Sequence, residues 1–280
     1  MVLVAVGLAL VAAAMHGTWN VIVKTSADPL VSIYRSTVMG AVILTPFAAV
    51  AYLIFRPHFG MTALLCVVVS GVLEIAYMWL LASAYARGEL SVVYPIARGS
   101  APLLAVIIGL AVLGEKLTAP QHFGVGLLVA GILAVTLPQA SGRATLPALL
   151  TGVAIAAYTS IDRVGVRDTA PWFYGWLLIL IMAGGMAITI PIAARLGLRR
   201  PTGSMPWRLA SGVAVIMWGA YLLVLLALSL APLAIVSPVR ETAIVAVAVW
   251  GVWRLGERKS AGLKLAGAAA TLAGIVLLAV

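Results

Sequence analysis

Windows of about 20 apolar residues, each long enough to cross a hydrocarbon core as a helix, follow one another through this chain with only short connections between them. Ten can be placed, near 3–24, 30–55, 61–86, 91–113, 119–138, 145–165, 171–194, 207–229, 233–254 and 260–279. Hydrophobic residues make up 64% of the sequence and charged ones 9%, where a soluble domain carries about 25% charge. The expected fold class is therefore an all-α integral membrane protein. Met1 to Ala14 is apolar from the start with no basic lead, which reads as a retained first helix. The single cysteine, Cys66, excludes an intrachain disulfide and any metal site built from several cysteines.

A duplicated pattern organises these windows. Tyr94-Pro-Ile-Ala-Arg98 is followed by an apolar run and then Leu113-Gly-Glu-Lys116, and Ser237-Pro-Val-Arg-Glu241 by another run and Leu255-Gly-Glu-Arg258. Arg98 precedes Glu115 by seventeen residues, as Arg240 precedes Glu257. Seventeen residues of helix span about 25 Å, so each Arg sits inside the apolar layer and each Gly-Glu-basic triplet is expected at the far interface. Five windows fall in each half, giving a first five-helix repeat at 1–138, a linker at 139–144 and a second repeat at 145–280. An odd number per unit makes the second enter the membrane from the opposite side, the inverted-topology arrangement of many secondary carriers. The plainer alternative is a helical scaffold or subunit.

The net charge of +10 does not point to nucleic acid. Lys24, Arg87, Arg143, Arg195, Arg199, Arg200, Arg208, Arg254, Arg258, Lys259 and Lys264 lie on or beside one alternating set of connections, whereas Arg56, Lys116, Arg163 and Arg167 lie on the other. Loop cations of this kind are topology signals or lipid headgroup contacts. They place both termini outside the cytoplasm.

Depth decides which polar residues need a role, since an ionised side chain at a helix centre is costly. Arg35, Asp162 and Arg163 stand near helix ends and are expected to snorkel outward. Glu74 stands mid-membrane on the third window, with Tyr77 and Ser70 on its face, and is the candidate for proton coupling. Arg98 and Arg240 enter from opposite faces and converge on the middle. Glu241 follows Arg240 directly, so on a continuous helix the two point about 100° apart. Ion pairs of Arg98 with Glu241, or of Arg240 with Glu74, are the structural alternative. Pro95 and Pro238, just before the two Arg residues, are expected to kink their helices and free carbonyls toward a cavity. His16, Trp19, Tyr94, Tyr158, Trp218 and Tyr221 could complete a substrate site, with Trp172, Trp176 and Trp207 at the interfaces. By the repeat offset His16 corresponds to Tyr158 and Asn20 to Asp162. Gly124, Gly126, Ala130 and Gly131 on the fifth window, and Gly267 to Ala270 and Gly274 on the tenth, suit close helix packing or a homodimer through those two helices.

Nucleotide, nucleophile and metal motifs are missing, which argues against an enzyme or a primary pump and implies no cofactor and no metal. Lys24 ending the first window, Arg35 opening the second, the small-residue approaches to Pro95 and Pro238 and the two Leu-Gly-Glu-basic stretches resemble the EamA-type drug/metabolite transporter superfamily over essentially the whole chain. That resemblance implies a cavity lined by the third, fourth, eighth and ninth helices with the first and sixth, the fifth and tenth standing outside. Transferred by position, it implicates Glu74, Tyr77, Arg98, Trp218, Tyr221, Arg240 and Glu241. It also implies cytoplasmic termini, opposite to the loop charges, so orientation stays open. The expected activity is secondary transport of a small polar metabolite, an amino acid or other zwitterion, outward across a bacterial-type inner membrane by alternating access. Two cations, Arg98 and Arg240, balance two acids, Glu74 and Glu241. Proton-coupled efflux of organic cations through Glu74, and a non-transporting subunit or lipid-handling protein, are the alternatives.

Overall fold

The computed structural model describes residues 1–87, 90–136, 145–199, 202–243 and 261–278. Among these, ten α-helices and no strand are formed: α1 (Val2–Lys24), α2 (Pro29–Phe55), α3 (Met61–Arg87), α4 (Leu90–Ala111), α5 (Ala119–Thr136), α6 (Thr145–Asp168), α7 (Pro171–Arg195), α8 (Trp207–Leu230), α9 (Leu233–Arg240) and α10 (Ala261–Leu278). Six of them, α1, α2, α3, α6, α7 and α8, are long and apolar enough to cross a membrane. Shorter apolar stretches occupy Ile96–Ala111 of α4, Ala119–Ala134 of α5 and Leu265–Leu278 of α10. The linker expected at 139–144 and the Leu255 to Arg258 motif lie outside the described residues.

Local chemistry sets the helix starts. Pro29 and Pro171 open α2 and α7, where their missing N–H costs nothing. Asp28 caps α2, its side chain accepting from the Val31 N–H at 3.1 Å. The ninth window departs from expectation: α9 stops at Arg240, and Glu241 and Thr242 form a turn in which their N–H groups reach back three residues to Pro238 and Val239. Pro238, two residues before this end, cannot donate into the helix. The bond it forgoes is to the Ala234 carbonyl one turn upstream, and α9 runs through Pro238 to the turn at Glu241 and Thr242.

Burial ranks the helices. In α6, 67% of the most apolar window is buried, against 11% in α2. Thr151, Tyr158, Thr159, Ser160, Asp162 and Arg163 spread polar groups around α6, which lipid would not tolerate, and neighbouring helices enclose them all. The packing has a pairwise order. Helix α3 lies against α6 and α7, as α8 lies against α1 and α2; α4 meets α6, as α9 meets α1; and α2 with α7, α4 with α9, and α5 with α10 meet each other.

The α5–α10 seam is backbone against backbone. A Cβ on Gly124 would come within 2.8 Å of the Gly274 carbonyl oxygen, and one on Gly274 within 2.6 Å of the Gly124 oxygen. The small residues are thus used between these two helices of one chain. At one end of the bundle, Asp28 in the α1–α2 connection pairs with Arg199, while Thr202 donates its N–H to Asp28 at 3.2 Å and its hydroxyl to the Ala27 carbonyl at 2.9 Å. Burial works against ionisation of Asp28, but the Arg199 guanidinium and the Val31 and Thr202 N–H groups outweigh it and hold the carboxyl below its ordinary pKa.

A folded-state pKa below the unfolded one means that the stability Asp28 contributes is complete above the unfolded value, near 3.9, and is lost as pH falls through the folded one. In thermal unfolding of detergent-purified protein, Asp28→Ala is expected to cost about 0.5–2 kcal/mol at pH 7. That difference should shrink below about pH 4. A difference that grows on acidification would contradict the assignment.

Candidate functional site

Glu241 is where the end of α9 has its largest effect. With the helix ended at Arg240, the two neighbouring side chains turn toward one point, and Arg240 Nε donates to Glu241 Oε1 at 2.9 Å. The 100° divergence expected of a continuous helix is therefore overturned. Arg98 on α4 donates Nη1 to both oxygens of the same carboxylate, at 3.2 and 3.3 Å. Its Nη2 reaches the Tyr77 hydroxyl at 3.3 Å, and Arg240 Nη1 reaches Thr159 Oγ1 on α6 at 3.3 Å. All three charged residues are at most 2% exposed. The Arg98–Glu241 pair is formed, and Arg240 meets Glu241 in place of Glu74.

Asp162 was expected to snorkel and does not. It is fully buried and accepts from Ser70 Oγ at 2.5 Å, from the Tyr174 hydroxyl at 2.9 Å and from the Tyr221 hydroxyl. Three hydroxyl donors from α3, α7 and α8 replace the water that a carboxylate would otherwise need. The correspondence of Asp162 with Asn20, also buried, was the signal in the sequence; distance from a helix end was the wrong measure, because Asp162 stands within two turns of the end of α6 and is nonetheless enclosed. Arg163 is likewise buried. It donates Nε to Glu115 at 3.1 Å and Nη1 to the Leu228 carbonyl. Glu115 lies in the connection after α4, between the exposed Gly114 and Lys116, but turns its side chain inward: its oxygens accept the Leu233 and Ala234 N–H groups at 2.7 and 3.0 Å, capping the start of α9.

Between these two charged clusters lies a small cavity of about 20 Å³, lined by His16, Trp19, Glu74, Tyr77, Met78, Arg98, Tyr158, Met217, Trp218 and Tyr221. A space of this size admits about one water. The rings of Tyr77 and Tyr158 lie 5.5 Å apart, those of Tyr158 and Tyr221 6.4 Å, and Trp218 stands edge-on to Tyr221 at 5.9 Å. The Trp218 indole occupies the place where a side chain at position 40 would be, which Gly40 leaves open. Glu74, 2% exposed, has one oxygen without a hydrogen-bond partner among the described residues. The Trp19 indole N–H donates to His16 Nδ1 at 2.8 Å. Of the residues singled out in the sequence, His16, Trp19, Glu74, Tyr77, Arg98, Tyr158, Trp218 and Tyr221 thus share one cavity, with Arg240 and Glu241 directly behind Arg98. The side chains of Tyr94 and Pro95 lie outside the described part. No three of His, Cys, Asp and Glu among the described residues converge as metal ligands would.

The two ends of the bundle differ. Beyond Asn20 a vestibule of about 560 Å³ opens among Lys24, Asp28, Trp79, Tyr85 and Arg199. Helix α1 runs from the cavity at His16, past Asn20, to the vestibule at Lys24. About two turns, roughly 12 Å of helix, separate them. This interval is bridged by the buried hydrogen bond from the Tyr85 hydroxyl to Asn20 Oδ1, at 3.0 Å. On the other side of the cavity stand Asp162 with its three hydroxyls and the Glu115–Arg163 pair.

An α-helical membrane bundle with ionised groups of both signs at its buried centre is the architecture of proteins that handle solutes within a bilayer. Residues 3–137 match the EamA-like transporter family, a group of membrane transporters within the drug/metabolite transporter superfamily. No curated protein matches it. A solved structure described as a crystal structure of a protein, 16% identical, shares the fold with a TM-score of 0.69 over 98% of this chain and 95% of its own.

Glu241→Ala should leave two guanidinium groups buried without their common anion and cost about 3–5 kcal/mol of stability. Adding Arg98→Met should recover part of that loss. Unfolding midpoints of the two variants in detergent test this, and an Arg98→Met addition that lowers stability further would show that the carboxylate is not what holds Arg98.

Proposed function

We propose that the chain is a secondary active transporter that exports a small polar metabolite, an amino acid or other zwitterion, across a bacterial-type inner membrane. The observation that carries this reading is the cavity at the meeting of α1, α3, α4, α6 and α8, where an acid with an open oxygen and a polar ring share one space inside aromatic walls. Alternating access would operate between two inverted five-helix units, residues 1–138 and 145–280, joined by 139–144. Support comes from the pairwise packing order, in which α1 to α5 relate to their neighbours as α6 to α10 relate to theirs. For ten spans, the support is the coincidence of nine helices with the apolar windows.

In this reading the described conformation is occluded. The cavity is too small for an amino acid, and loss of the Asn20–Tyr85 bridge would join it to the vestibule. Opening would begin on that side, where the bridge stands between the cavity and the vestibule. A homodimer, if formed, would use the outer flanks of α5 and α10, where Phe123, Leu265 and Leu272 remain exposed.

A second reading is favoured by the open Glu74 oxygen among aromatic faces, a setting that also suits an organic cation. In it Glu74 exchanges a proton for the cation, and the arginines serve structure alone.

Counterflow in proteoliposomes separates the two. Zwitterionic transport predicts exchange of labelled amino acids that Glu74→Gln lowers at least tenfold, with no flux of quaternary ammonium compounds. Flux of such cations alone, driven by a pH gradient and abolished by Glu74→Gln, would replace the first reading by the second. Tyr85→Phe should accelerate exchange or leak by removing the bridge; unchanged kinetics would move the barrier elsewhere.

A further inference from the structure

We infer that His16, fixed as its Nε2–H tautomer by Trp19, recognises the acidic end of the solute while Glu74 receives the ammonium, and that Arg98 and Arg240 shape the site without touching the solute. This assignment rests on the zwitterion reading above and names the atoms that would carry it.

Charge alone would give the carboxylate to an arginine. The geometry gives it elsewhere. Arg98 is engaged by both oxygens of Glu241 and by Tyr77, and Arg240 by Glu241 and Thr159. Drawing either guanidinium toward a solute would strip the shared carboxylate of a partner inside a low-dielectric centre. Arg240 Nη2 has no partner among the described residues, yet Arg240 does not line the cavity.

The imidazole of His16 is differently placed. An indole N–H can only donate, so the 2.8 Å bond from Trp19 Nε1 makes His16 Nδ1 an acceptor. A ring accepting at Nδ1 is neutral and carries its hydrogen on Nε2. That nitrogen is without a partner among the described residues in a side chain only 6% exposed, and His16 lines the same cavity as Glu74. Two buried donors, His16 Nε2–H and the Trp218 indole N–H, and one buried acceptor, the Glu74 oxygen, therefore await a ligand around a single small space, and of the two donors it is His16 whose ring is held by a hydrogen bond from a neighbouring side chain. An α-amino acid offers the complementary pair on adjacent atoms: an acidic acceptor and an ammonium donor. The Trp19 bond has a second effect, since it fixes the ring plane and so the direction in which Nε2–H points.

The test uses purified full-length protein in detergent, with binding read as ligand-induced thermal stabilisation and calorimetry. Probes are the twenty standard α-amino acids, followed for the tightest binder by its decarboxylated amine and its deaminated acid. In the wild type, loss of the carboxyl group should weaken binding about tenfold or more. In His16→Phe that penalty should fall below about twofold while affinity for the amine is retained, and His16→Gln, which keeps an N–H donor, should preserve most of it. If His16→Phe does not fold, Trp19→Phe serves instead: releasing Nδ1 should cut the penalty severalfold. A penalty that persists in these variants but vanishes in Arg98→Met overturns the assignment and leaves the transport reading standing. Failure of the wild type to bind any amino acid overturns both.

Discussion

A single carboxylate, Glu241, holds two guanidinium groups in the part of the molecule least able to tolerate free charge. Ionised side chains at mid-bilayer are costly, and their attraction repays that cost only where the geometry is close and the remaining donors are used. Here Arg98 comes from α4, Arg240 and Glu241 from the end of α9, and Thr159 and Tyr77 take further donors from α6 and α3. Four helices are fixed relative to one another by this one group. The arrangement goes with the turn at Glu241 and Thr242, where the end of α9 lets residues 240 and 241 aim at the same point.

Much of this was legible in the sequence. Apolar run length located nine of the ten helices to within about three residues, and the duplicated Arg positions located the buried centre. What sequence could not supply was the pairing. Adjacent residues on an assumed continuous helix diverge, so the Arg240–Glu241 contact was invisible until the end of α9 was seen. Asp162 was misjudged for a related reason: its distance from a helix end says nothing about whether Ser70, Tyr174 and Tyr221, remote in sequence, converge on it. The seventeen-residue spacing put Glu115 at the far interface but could not say that its carboxylate turns inward. Its partners, the first N–H groups of α9 and the guanidinium of Arg163, lie more than 40 residues away in the chain.

The residues that fill the centre divide into those already satisfied and those left open. Asp162 and Glu241 carry several donors each and behave as scaffolding. Glu74 and His16 share a space with polar atoms unspent. A site made only of satisfied groups would be a lock between helices, and one made only of open groups could not be buried. The coexistence of the two within a few side chains is what distinguishes this centre from packing.

The glycine contact between α5 and α10 has a mechanical corollary. Where main chains touch without intervening side chains, there is no flexible layer to absorb shear, and a shift of even one ångström would drive carbonyl oxygens into α-carbons. Helices joined in that way move as a pair or not at all. Any movement of the first half of the chain against the second would therefore have to leave this seam intact or carry both of its helices together.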